Sequence, residues 1–138
     1  HVAYSNAKAT DARDAMVKKV YSELFQIMVN LINNAQDASP FQSTITIACK
    51  RVAASIEILV TDEGTGIPAN IQDRVFEPFF TTKDIGEGTG LGLSLVYSIV
   101  ENMGGHIDII SPVRKNEYPG TRVILNFPCY DVADTGSR

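Results

Sequence analysis

The sequence predicts a two-layer α/β (α+β) sandwich in which helices cover one face of a mostly antiparallel sheet. Two segments carry apolar residues at helical spacing and four runs alternate apolar with polar residues. The length of 138 residues suits one core that buries roughly two thirds of the unfolded surface. Composition agrees, since 44% hydrophobic and 20% charged residues with ten Gly and six Pro exclude a disordered, collagenous or coiled-coil chain. With 16 acidic against 12 basic residues, a formal charge of -4 and no Lys/Arg run, the chain is not expected to bind nucleic acid.

Residues 1–12 lack clear periodicity and are expected to be a linker, with the domain over 13–129 and a flexible tail over 130–138. Arg13 to Val20 fits either a short helix or a lead-in strand. Ser22 to Ala38 places Leu24, Ile27, Met28, Leu31, Ala35 and Ala38 at helical spacing, with Ser22 as N-cap and Pro40 as stop. Ser43 to Lys50 has Ile45, Ile47 and Cys49 on one side, Ser55 to Asp62 has Ile56, Ile58 and Val60, and the two read as a hairpin. Leu91 to Met103 is helical again, with Leu93, Val96, Val100 and Met103 inward and Gly104-Gly105 as its stop. Gly105 to Ser111 and Thr121 to Phe127 complete the sheet, separated by a turn at Pro119-Gly120. Cys49 and Cys129 have no metal-ligand spacing and are expected to be reduced core thiols. No apolar stretch reaches the roughly 18 to 20 residues of a membrane span, and no signal-peptide core opens the chain, so a cytoplasmic setting is expected.

Three groups of residues carry chemistry. Asp62 shares strand parity with Ile56, Ile58 and Val60, so its carboxylate points to the buried face where the chain breaks into Glu63-Gly64-Thr65-Gly66-Ile67-Pro68. A buried carboxylate needs hydrogen-bond donors. Two readings are open: a capping Asp in an Asx-turn, or a base-recognition residue that accepts from an amine such as that of adenine and rejects guanine. Asn30 and Asn34, four residues apart, share a polar helix face with Gln26, Asn33 and Asp37. That face is either solvated or aims two amide oxygens at a hard cation such as magnesium, and three Asn within five residues bring no helix stability. Gly86 to Ser94 (GEGTGLGLS) opens directly into a helix, so its backbone can approach phosphate oxygens and the helix N-terminus can face them. It lacks the Lys-Ser/Thr of a Walker A loop and the preceding strand of a Rossmann fingerprint.

In order and spacing, these segments resemble the ATP-binding catalytic domain of bacterial sensor histidine kinases, within the GHKL superfamily. NLINNA (Asn30 to Ala35) resembles the N box, DEGTGIP (Asp62 to Pro68) the first glycine box, RVFEPFFTTK (Arg74 to Lys83) the F box and GEGTGLGLS the second glycine box. Pro119-Gly120-Thr121 is similar to the last, weaker glycine-threonine motif, and the match spans roughly residues 20–128.

The resemblance implies a Bergerat-type fold, helices over a mixed, mostly antiparallel sheet, with ATP held between the helix layer and a lid from about Thr81 to Gly90. It implies Asp62 as the adenine acceptor, with Gly66 and Ile67 against the base and Thr121 completing the contacts. Asn34 is the implied magnesium ligand, while Asn30 and Lys83 are the implied catalytic residues, supporting the metal shell and the phosphates. Gly88, Gly90 and Gly92 would supply backbone contacts, and Phe79 and Phe80 would anchor the lid with Phe76. Asp37, Gly64, Thr82, Thr89, Leu91 and Leu93 complete the implied nucleotide-binding set.

The implied cofactors are ATP and Mg²⁺, and the implied enzyme is a protein-histidine kinase. Its acceptor would be a histidine on a separate dimerisation domain of the same parent protein, with a response regulator downstream. The parent is compatible with an inner-membrane anchor, although this domain is expected to touch no membrane. No acceptor motif surrounds His1 or His106. Hydrolytic superfamily members place a Glu four residues before the metal-binding Asn, where this chain has Asn30, an amide without useful basicity. The alternatives are a non-catalytic nucleotide-binding module or a GHKL-type ATP hydrolase. Asp37 departs from the basic residue that many members carry there, as some subfamilies do, and leaves more of the phosphate charge to Mg²⁺, Lys83 and backbone dipoles.

Overall fold

The computed structural model describes residues 2–83 and 90–129, with side chains from residue 11 onward. Its elements are α1 (Val2–Ala38), β1 (Thr46–Val52), β2 (Ser55–Thr61), a 3-10 turn (Ala69–Arg74), α2 (Gly92–Asn102), β3 (His106–Ile110) and β4 (Arg122–Pro128). The expected tail lies outside the described residues, as do Gly88 and Thr89.

α1 is one helix of 37 residues, so the expected linker and the undecided segment at 13–20 join the helix expected from Ser22, which is interior rather than an N-cap. Local chemistry explains this. No Gly or Pro interrupts Val2 to Ala38, and Ala3, Ala7, Ala9, Ala12 and Ala15 with Met16, Lys18 and Lys19 are strong helix formers. Pro40 follows the last turn.

The sheet has four strands in the order β1-β2-β4-β3, each neighbouring pair antiparallel. The expected mixed sheet therefore has no parallel pair among the described residues. Hairpin β1-β2 and pair β3-β4 meet along β2-β4, where Thr61 pairs with Arg122. The ladder continues one step further, because the Asp62 N–H donates to the Thr121 carbonyl at 2.9 Å. Asp62 and Thr121 therefore end side by side at the mouth of the core.

That core joins Ile27 and Leu31 of α1, Val96, Ile99 and Val100 of α2, and Ile58, Val60, Ile107 and Leu125 of the sheet. Cover stops short of the edge strand. Ile47 is 50% exposed, and Cys49, opposite Ile58 in the register, is exposed as well. With Cys129 only half-buried, neither free thiol is the core residue expected from strand parity. Parity fixes which face a side chain points to, but the helices decide whether that face is covered. The apolar stripe of α1 likewise outruns its cover, leaving Met16, Val17, Val20 and Tyr21 exposed. No helix among the described residues is long and apolar enough to cross a membrane.

Candidate functional site

A cavity of about 740 Å³ lies between α1, the sheet and the chain that precedes α2. At one end sits Asp62, only 8% exposed. Its Oδ1 accepts from the backbone N–H of Gly64 at 2.8 Å and of Thr121 at 3.2 Å. Its Oδ2 has no protein partner among the described residues. Burial pushes the Asp62 carboxyl above its ordinary 3.8, against the opposing pull of the Gly64 and Thr121 N–H groups and the Arg114 charge. One oxygen thus caps the turn, and Asp62 and Thr121 both line the cavity. The remaining oxygen suits a donor, as a ligand amine would be.

Gly66 and Ile67 also line this end, but Gly64 does not. A Cβ at Gly64 would stand 2.5 Å from the Ala38 carbonyl oxygen, so this glycine lets the turn close on the end of α1 rather than touching the cavity. Two side chains that sequence reasoning missed hold the turn in place. Ser111 Oγ accepts from the Ile67 N–H at 2.8 Å and donates to the Gly120 carbonyl at 2.9 Å. Gln72 donates to the carbonyls of Ile67 and Ser111 at 2.8 and 2.9 Å. Arg114, also missed, pairs at 3.2 Å with Glu63, whose carboxyl is held low by the Thr44 N–H and by Arg114.

At the other end, α1 presents Asn30, Asn34 and Asp37 to the cavity. Asn30 Nδ2 donates to the Gln26 carbonyl at 2.9 Å, which turns its Oδ1 outward. The first residue of α2, Gly92, faces the two amides: a Cβ there would come 3.3 Å from Asn30 Oδ1 and 3.8 Å from the Asn34 amide. Hard oxygen donors thus stand beside a helix N-terminus, a set that fits a magnesium ion already shared with phosphate oxygens. Lys83 Nζ reaches across from the F-box segment to an ion pair with Asp37 Oδ2.

Phe80, Thr82, Gly90 and Leu93 line the cavity as expected, whereas Phe79 and Leu91 do not. Phe79 is 75% exposed. It serves the site through its backbone, since its N–H donates to the Gly90 carbonyl at 2.9 Å and joins the two ends of the intervening segment. Gly90 has φ +69 and its Cβ would collide with the Phe79 backbone, so glycine is required at this closure. The other two rings have partners. Phe76 packs on Tyr97 of α2 with centroids 5.5 Å apart, and Arg74 lies 4.7 Å over the Phe80 ring.

Residues 19–131 match the family described as histidine kinase-, DNA gyrase B-, and HSP90-like ATPase. The chain is 41% identical to the sensor kinase CckA of Brucella abortus, over 72% of this chain and 12% of that protein. It is 44% identical to the sensor histidine kinase ZraS of Escherichia coli K12, over 67% of this chain and 19% of that one. Among solved structures, the mycobacterial sensor histidine kinase MprB superposes with a TM-score of 0.72 at 30% identity, covering 78% of this chain and 70% of the other. The catalytic domain of histidine kinase ThkA gives 0.66 at 31% identity, over 78% of this chain and 66% of the other. The chain thus spans less than a fifth of these two curated relatives. The boxes, the antiparallel sheet under two helices and these similarities agree, and the chain belongs to the histidine kinase-, DNA gyrase B- and HSP90-like ATPase family, as the catalytic ATP-binding domain of a sensor histidine kinase.

Proposed function

We propose that this domain binds ATP·Mg²⁺ across the cavity and presents the γ-phosphoryl to a histidine on a separate dimerisation domain of its parent protein, from which a response regulator receives it. The observation that carries the reading is Asp62, buried with one oxygen fixed by two backbone N–H groups and the other without a protein partner among the described residues. In this reading Asp62 accepts the adenine amine, with Thr121 beside it and Gly66 and Ile67 against the base. Asn34 ligates magnesium and Asn30 supports the metal shell. Lys83 and the N-terminus of α2 neutralise the phosphates, while Thr82, Gly90, Gly92 and Leu93 shape their path; Gly88 and Thr89 lie outside the described residues and keep the binding role that the sequence resemblance implies.

Phosphoryl transfer needs positioning and charge neutralisation more than covalent help from the protein. Hydrolysis needs a base for water. Asn30 supplies none, and Asp62 and Asp37 are the only carboxylates lining the cavity among the described residues, one at the far end and one paired with Lys83. The kinase reading is therefore preferred over the hydrolase. Calorimetry tests it by comparing ATP with GTP: ATP should bind at least about tenfold more tightly, and equal affinities would remove the role of Asp62. Radiolabelled ATP should leave no acid-labile phosphate on the isolated chain and should label an added acceptor domain from the parent protein.

A further inference from the structure

Asp37 and Lys83 occupy the phosphate end of the cavity together. Lys83 is the only Lys or Arg, and Asp37 the only carboxylate other than Asp62, that lines the cavity among the described residues. They stand 46 residues apart in sequence and pair directly, with Lys83 35% and Asp37 54% exposed. Both remain accessible to solvent and to a ligand. The charge that should meet a polyphosphate is therefore already cancelled by Asp37, on the same face of α1 that carries Asn34 one turn earlier.

We propose that Asp37 makes this end of the cavity selective for metal-bound over metal-free nucleotide. The proposal rests on the reading of the cavity as an ATP site and deepens it. A metal-free polyphosphate that takes Lys83 must break the ion pair and then lie beside an uncompensated carboxylate, so attraction and repulsion largely cancel. A nucleotide carrying a divalent cation brings its own partner for Asp37. The cation faces the carboxylate directly or through one of the waters that magnesium keeps, and Lys83 is released to the phosphate. A neutral or basic residue at this position would welcome both forms, whereas Asp favours the metal-loaded one alone.

The experiment measures, by calorimetry on the whole chain, the affinities for adenosine, for ADP with EDTA and for ADP with Mg²⁺. Asp37→Asn should tighten metal-free ADP about tenfold, change Mg·ADP less than about threefold, and so narrow the magnesium preference. Adenosine affinity should not move, which shows that the variant still forms the cavity. An unchanged or widened magnesium preference would overturn the proposal. Repeating the comparison in a Lys83→Met background should shrink the gain for metal-free ADP to the part that comes from carboxylate–phosphate repulsion, and an undiminished gain would overturn the release of Lys83. Failure of the wild-type chain to bind adenosine in competition with ATP is a different result, and would overturn the nucleotide reading itself.

Discussion

At the scale of the residue, Asp62 shows how a binding group is held at a cost to the fold. Its folded carboxyl is raised above 3.8 by burial. A raised acid contributes stability that is complete below its unfolded value and is lost as pH rises through its folded one. At pH 7 the ionised form is therefore a net burden on the fold. Asp62→Asn keeps an Oδ1 for the Gly64 and Thr121 N–H groups but presents an NH₂ to the ligand. The variant should melt at or above the wild-type temperature at pH 7, by calorimetric scanning, while ATP binds about 10- to 100-fold more weakly. Because the amine prefers the ionised acceptor, wild-type ATP affinity should fall as pH drops through the raised value, and the variant should lack that step. Asn34→Ala should remove about tenfold of affinity from magnesium-supported ATP binding and little from binding in EDTA, again by calorimetry.

The elements explain why some of the site was legible in the sequence and some was not. Asn30, Asn34 and Asp37 share a helix face, and Gly92 begins a helix, so spacing alone brought the first three together and marked the fourth. Gln72, Ser111 and Arg114 left no such mark. Ser111 bonds to Ile67 across 44 residues, Gln72 to Ser111 across 39 and Arg114 to Glu63 across 51, and each is an ordinary polar residue until the sheet closes. The place of Phe79 is hidden for a related reason, since its ring is exposed and its hydrogen bond comes from the backbone N–H. The exposure of β1 was invisible too, because alternation does not say how far a helix layer reaches. Gln72→Ala removes two hydrogen bonds, one to the Ile67 carbonyl and one to that of Ser111, which together tie the turn to the end of β3. It should cost about 1–3 kcal/mol in urea denaturation and weaken ATP more than ADP·adenosine differences would suggest for a phosphate-end lesion: adenosine affinity itself should drop.

For the molecule as a whole, stability is distributed unevenly along α1. The segment around Ile27, Leu31 and Ala35 is sealed against α2 and the sheet, with exposures of 0, 2 and 3%. The segment around Met16, Val17 and Tyr21 has no such cover among the described residues. Native-state hydrogen exchange should therefore show a gradient within one uninterrupted helix, with amides near Leu31 exchanging only by global unfolding and those before Tyr21 exchanging by local fraying. Uniform protection along α1 would mean that its first half is covered in solution. The small net charge also takes its place at this scale. The formal charge of -4 gives no broad basic surface, and in the proposed reading the positive potential an ATP polyanion needs comes, among the described residues, from Lys83 and the N-terminus of α2 together with the bound magnesium.

The bond between Phe79 N–H and the Gly90 carbonyl has an evolutionary meaning as well. It fastens both ends of the segment to the domain, so closure no longer depends on what lies between them. The entropy of closing such a loop grows only with the logarithm of its length, about 0.6 kcal/mol for each doubling. A change in the number of residues between Phe79 and Gly90 therefore costs little in closure, whereas Phe80, Thr82 and Lys83 line the cavity and are not interchangeable.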